Sequence, residues 1–176
     1  MQVLYLILGA LAALILGLFV FSLYLPSRLK IERSLLMDAR PEVVFREVDT
    51  LRNWEHWSPW HNLDPEMKIT YGEKESGAGA GYSWESKKRN VGKGSLIITE
   101  SRPYEYIATN INFMEQGGSK GYFRFEPAGE GTRVTWGMEM TVGQHPARKL
   151  MGLMMDKWVG KDFERGLQQL ATASRG

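Results

Sequence analysis

The sequence predicts an α+β domain in which one antiparallel sheet wraps a long C-terminal helix, preceded by one N-terminal transmembrane helix. Three observations carry this expectation. Val3 to Leu25 is an unbroken apolar run, the middle of the chain alternates apolar and polar residues with a period of two, and Pro146 to about Ala171 repeats apolar residues at threes and fours. A series of strands followed by a single long helix belongs to the α+β class, with the helix covering one face of the sheet.

The first element is the apolar run. From Met1 to Ser27 there is no Asp, Glu, Lys, Arg or His. The 23 residues Val3 to Leu25, at about 1.5 Å each in a helix, cover roughly 35 Å, enough to cross a ~30 Å hydrocarbon core with some tilt. A cleaved secretory signal is the rival reading. The run lacks a charged n-region, exceeds a usual h-region in length, and ends in S-L-Y-L-P-S-R without an A-x-A-like site, so a retained anchor is expected. Arg28, Lys30 and Arg33 follow the run and no charged side chain precedes it. The positive-inside tendency therefore favours a cytoplasmic C-terminal domain, although the same residues also begin a strand. The expected organisation is an anchor over 1–27, a folded domain over 28–172 and a short tail over 173–176.

R-L-K-I-E-R-S-L-L-M reads as the first strand, with an imperfect alternation that leaves room for a bulge or burial on both faces. Asp38-Ala39-Arg40-Pro41-Glu42 opens a short helix, since proline suits the first turn and an acidic residue there complements the helix dipole. Leu51 to Trp57 makes a second short helical piece, stopped by Pro59. Six strands are then expected, the clearest at Ile107-Thr109-Ile111-Phe113 and Val134-Trp136-Met138-Met140. Turn chemistry separates them at E-S-G-A-G-A-G, K-R-N-V-G-K-G, S-R-P-Y, E-Q-G-G-S-K-G and P-A-G-E-G. The last helix carries Leu150, Met151, Met154, Met155, Trp158, Val159, Phe163, Leu167 and Leu170 among charged residues.

Composition narrows the function. The chain has no cysteine, which excludes thiol nucleophiles, thiolate metal sites and a disulfide framework. The 22 basic and 20 acidic residues leave +2, and Lys87 to Arg89 is the sole basic tract, so a phosphate-binding face for nucleic acid is not expected.

The order of elements, the D-A-R-P-E-V-V-F helix opening, the N-W-x-x-W-S-P-W segment and the G-Y-S-W and G-S-L-I-I-T-E strands resemble the START-like superfamily. That superfamily, also called SRPBCC, includes proteins labelled polyketide cyclase/dehydrase. The resemblance covers about residues 28–172, and the N-terminal run is similar to that of membrane-anchored bacterial members. It implies a helix-grip fold, a curved antiparallel sheet gripping the C-terminal helix, often around a deep apolar cavity. Members of the superfamily bind lipids, sterols, hormones or polyketides; others are enzymes or chaperone activators. Fold is therefore better specified than activity.

Trp54, Trp57 and Trp60 admit two readings: they plug one end of the core, or they line a cavity mouth where large rings meet a ligand. The strands add Tyr82, Trp84, Ile111, Phe113, Phe123, Phe125, Trp136 and Met138 to the candidate lining, and the helix adds Met151, Met154, Met155 and Trp158. Adaptable thioethers suit varied apolar ligands, although core packing uses them as well. Arg33 and Thr109 are the polar residues that strand parity places on the inner face. His56, His61 and Asp64 invite a metal reading, but Pro59 breaks any helix that would align the two imidazoles, and the histidines read as solvated or capping groups. Ser58 with a neighbouring histidine lacks an orienting carboxylate and any nucleophile signature. Gly77 to Gly81 precedes a strand, so it is a hairpin connection and not a phosphate loop. No catalytic residue, metal or cofactor is expected.

The sequence thus points first to a membrane-tethered domain that binds a hydrophobic small molecule or lipid between sheet and helix. A polyketide cyclase or dehydratase-like enzyme stands second, and a protein-interaction module with a filled cavity third. The membrane and the apolar ligand are the expected partners; a protein partner is unspecified.

Overall fold

Seven antiparallel strands form one curved sheet in the computed structural model, which describes residues 2–61, 63–89, 91–113 and 117–175. The elements follow in the order α1 (Gln2–Tyr24), β1 (Arg28–Met37), α2 (Pro41–Asp49), a 3₁₀ turn (Leu51–Asn53), α3 (Trp54–Trp57), β2 (Lys68–Tyr71), β3 (Gly81–Glu85), β4 (Lys93–Arg102), β5 (Tyr106–Phe113), β6 (Gly117–Ala128), β7 (Gly131–Thr141) and α4 (Pro146–Ala173). Strands β2 to β7 pair with their neighbours in sequence, and β1 crosses over to pair with β7. This is the helix-grip arrangement: the inner face of the sheet closes on α4.

Helix α1 is apolar throughout and long enough to cross a membrane. Its end is tied closely to the domain, because the Val142 backbone N–H donates to the Ser27 carbonyl at 3.0 Å.

Strand β1 keeps an unbroken register with β7 from Arg28 to Met37, so neither a bulge nor two-sided burial explains its uneven pattern. The unevenness is one cation on the inner face. Arg33 shares its parity with the buried Ile31 and Met37, and its guanidinium reaches across to α4. There it donates to Glu164 at 2.8 Å and to Asp156 at 3.2 Å. Gly160 lies between those carboxylates in sequence, and a Cβ there would stand 2.1 Å from an Arg33 nitrogen. Half-exposed pairs of this kind contribute about 1 kcal/mol or less each, but they fix where α4 crosses the sheet edge.

The bulge falls in β4 instead, between Ile98 and Glu100, where it adds to the bend of the sheet. Two stretches read as turns contribute to strands: Gly117 to Gly121 belongs to β6, and Lys93-Gly94 opens β4. The alternation simply extends backward, with Phe123, Gly121 and Ser119 on one parity. Of the remaining members of those two turns, Glu115, Gln116 and Asn90 lie outside the described residues.

The core sits at one end of the sheet. Phe163 of α4 stacks on Trp136 of β7 with centroids 4.3 Å apart and planes 10° apart. Phe123 stacks on the other side of Trp136 at 4.9 Å. Trp54 and Trp57 close over Phe123 with edge contacts, and their indole N–H groups donate to the Val48 and Glu47 carbonyls. Those carbonyls belong to the last turn of α2, which has no helical donors left for them. Gly166 brings α4 against this stack. A Cβ at that position would lie 2.6 Å from the Trp136 ring and 3.0 Å from Pro59. Gly166→Val is therefore expected to lower stability by about 1–3 kcal/mol through overpacking, read as a fall in the thermal midpoint.

Candidate functional site

The sheet is longer than its aromatic core, and the far end is hollow. A cavity of about 720 Å³ lies between β3 to β7 and the first half of α4. Tyr82, Trp84, Leu96, Ile111, Phe113, Met138 and Met140 form the sheet side. Met151, Met155 and Val159 form the helix side, and Trp60, His61, Leu63 and Met67 close the loop side. The lining is apolar over most of its surface, as in sites that hold largely hydrophobic ligands. Leu96 and Met138 are buried on its floor, whereas Leu63 and Met151 are 41% and 53% exposed and mark the rim. A shallower depression on the opposite sheet face carries Lys30, Tyr122, Arg124 and Glu139. There Glu32 accepts from Tyr122 and pairs with Lys30 and Arg124.

Eight of the residues read from the sequence as lining meet at this cavity: Trp60, Tyr82, Trp84, Ile111, Phe113, Met138, Met151 and Met155. Trp60 serves both ends, since its ring also contacts Trp136 at 5.2 Å and Phe163 at 5.9 Å. Gly94 is needed on the sheet side, because a Cβ there would stand 2.3 Å from the Trp84 ring that lies over it.

Seven others lie elsewhere. Trp54, Trp57, Phe123, Phe125 and Trp136 pack into the solid aromatic core, where mutual ring contacts leave no space to line. The plug reading therefore describes the first two indoles, and the cavity reading describes Trp60. Met154 and Trp158 are 52% and 54% exposed, because the inward stripe of α4 runs through Met151, Met155 and Val159 and leaves its flank to solvent. The first half of α4 is apolar on several sides, so its sequence pattern did not separate these faces.

The polar part of the site was hidden in the sequence. His61 is 8% exposed, not solvated as expected, and its ring meets Tyr82 edge-on at 5.2 Å. His56 is exposed, so the two imidazoles do not converge. Ser58 is buried, but its hydroxyl finds no partner among the described residues and so forms no nucleophile pair with a histidine. Asp64 secures the loop by accepting from the Ser86 hydroxyl and the Glu66 backbone N–H. The Ser86 bond chiefly holds the Asp64 carboxyl below its usual range, with Lys88 adding to it. Thr109 is buried on the inner face next to Gly121, where a Cβ would lie 2.5 Å from the Thr109 hydroxyl. Ser119, Arg148 and Asp162 also line the cavity. Strand parity with Phe123 would have placed Ser119; nothing local marks the other two.

Burial holds the His61 imidazole below its ordinary pKa of 6.5, against a smaller opposing pull from the Glu55 carboxylate. The folded protein thus takes up this proton less readily than the unfolded chain. The sign follows from linkage: stability is complete above pH 6.5 and falls as the pH drops from there toward the lowered folded value. The thermal midpoint is expected to decline across that window, and His61→Phe is expected to flatten the decline.

The sequence profile of the family described as polyketide cyclase / dehydrase and lipid transport matches residues 28–175. No curated protein matches the chain. Solved structures share the fold at low identity. A protein of unknown function, SA2116 from Staphylococcus aureus, superposes with a TM-score of 0.66 at 14% identity, over 84% of this chain and 94% of its own. Protein CV1439 from Chromobacterium violaceum gives 0.58 at 17% identity, over 82% and 96%. The di-domain ARO/CYC StfQ from the steffimycin biosynthetic pathway gives 0.65 at 11% identity, over 84% of this chain and 51% of that one. Such likeness speaks for the fold alone, while the profile spans the whole domain after the apolar helix: the chain belongs to the polyketide cyclase / dehydrase and lipid transport family.

Proposed function

We propose that this protein is a membrane-tethered domain that binds a hydrophobic small molecule, foremost a lipid, in the cavity between the sheet and α4. The observation that carries the reading is the apolar cavity of about 720 Å³ bounded by Trp84, Phe113, Met138 and Met155. Burying a ligand's apolar surface there contributes about 25 cal/mol per Å² before the entropic costs of binding. Methionines on facing walls suit chains or flat rings of differing shape.

The tether is supported by the apolar α1 and by what surrounds its end. Ser27 bonds to Val142, and Val142 lines the cavity, so one wall stands beside the point where the span would leave the bilayer. A connection this short raises the effective concentration of the domain toward membrane lipids. The flank of α4 next to the cavity presents Met151, Met154 and Trp158 to solvent, and indole and thioether side chains at that place suit the interface of a bilayer. The basic residues after α1 favour a cytoplasmic domain, which single-cysteine accessibility on this cysteine-free chain tests directly.

A second reading, cyclase or dehydratase chemistry, is favoured by one observation. His61 and Tyr82 stand together in the cavity wall, and burial pushes the Tyr82 phenol up, keeping it protonated and able to donate. Turnover lost in His61→Gln with ligand uptake retained would favour that reading.

Native mass spectrometry of the full chain released from detergent tests the main one. A bound or exchangeable lipid is expected, with about tenfold weaker retention in Met138→Trp, which fills the floor. A chain that takes up no lipid or polycycle overturns the reading. Replacing Met154 and Trp158 by serine is expected to slow lipid uptake from liposomes several-fold while leaving the thermal midpoint nearly unchanged, since both side chains are more than half exposed.

A further inference from the structure

Two polar side chains in the cavity wall are buried without a partner. The His61 Nε2 and Ser119 Oγ atoms are shut off from solvent and make no hydrogen bond among the described residues. Both residues line the cavity and both are more than nine-tenths buried, at 8% and 6% exposure. Buried polar groups in folded proteins are almost always paired, and an unpaired one forfeits its hydration with nothing in return. Two of them in one largely apolar cavity point to a partner that arrives with the ligand.

Their placement sets the shape of that partner. Tyr82, Leu96, Ile111 and Ser119 occupy directly paired positions on β3, β4, β5 and β6, so they form a row straight across the sheet. His61 sits against the Tyr82 end of the row, and Ser119 is the other end. Three strand spacings separate Tyr82 from Ser119, or about 14 Å. Between the ends the floor is the hydrocarbon of Leu96 and Ile111. The charged residues of the lining both belong to α4, Arg148 exposed at the rim and Asp162 paired with Arg165, so the floor offers no charge to a carboxylate or phosphate.

We infer that the cavity selects an elongated, uncharged ligand carrying a hydrogen-bonding oxygen, hydroxyl or carbonyl, near each end of an apolar body about 14 Å long, with His61 receiving one end and Ser119 the other. The inference rests on the hydrophobic-ligand reading and sharpens it. A serine hydroxyl and a neutral imidazole can each donate or accept, so either oxygen type is served. Rotation about χ1 at Ser119 and about χ2 at His61 turns the two groups toward the ligand, the scale of adjustment ordinary at binding sites.

The test compares 1,10-decanediol with 1-decanol by native mass spectrometry of the full chain, in the wild type and in Ser119→Ala and His61→Phe. The affinity ratio of diol to mono-alcohol is the readout, because partition into detergent cancels when ratios are compared between proteins. The diol can use both anchors and the mono-alcohol one, so the ratio is expected to fall about fivefold in either variant. Ser119→Ala removes a single oxygen and keeps the test sound if His61→Phe folds poorly. Binding of both alcohols with the same ratio in wild type and Ser119→Ala overturns the two-ended ligand and leaves the hydrophobic-ligand reading standing. Failure of the wild type to bind either alcohol or any lipid overturns both.

Discussion

The face-to-face contact of Phe163 with Trp136 is the constraint from which the rest of the domain follows. It joins the second half of α4 to strand β7, at 4.3 Å between ring centres. Around it Phe123, Trp57 and Trp60 meet the Trp136 ring from three further directions. A stack this dense fixes the height of α4 above the sheet at one end. Toward the N-terminus of α4 the helix presents Met151, Met155 and Val159 to the sheet, and none of them is a ring. The hollow results from that change of residue type: the rows beyond Phe123 and Trp136 carry Gly121 and Met138, then Ser119 and Met140.

Much of this arrangement was legible in the chain. Alternation at Ile107 to Phe113 and Val134 to Met140 identified strands and their inner faces, because a half-buried strand cannot hide its period of two. The single long helix at the end then had one sheet to cover. What the sequence could not reveal was the partition of large apolar residues between solid core and cavity wall. Trp57 and Trp60 are three residues apart and chemically identical, yet one is wholly enclosed and the other bounds open space. Their difference depends on partners from β7 and α4, far away along the chain. His61 was misjudged for the same reason, since the ring that buries it, Tyr82, comes from β3.

Helix α4 does two jobs along its length, and Arg33 marks the division. Beyond Gly160, against which the Arg33 guanidinium lies, Phe163, Leu167 and Leu170 are fully buried and belong to the core. Before it, Met151 and Met155 face the cavity while Met154 and Trp158 face outward. Stability and ligand contact are thereby assigned to different turns of one helix. Substitutions in the first half can reshape the site without touching the stack that holds the domain together.

The preponderance of thioethers around the chamber has a chemical consequence of its own. Met138, Met140, Met151 and Met155 supply sulfur on both walls, and Met151 stands half in solvent. Oxidants convert such a side chain to the sulfoxide, a polar and chiral group that reductases can restore. At Met151 that change would set a strong dipole on the threshold of a greasy compartment, so the redox state of the surroundings would bear directly on what the chamber accepts.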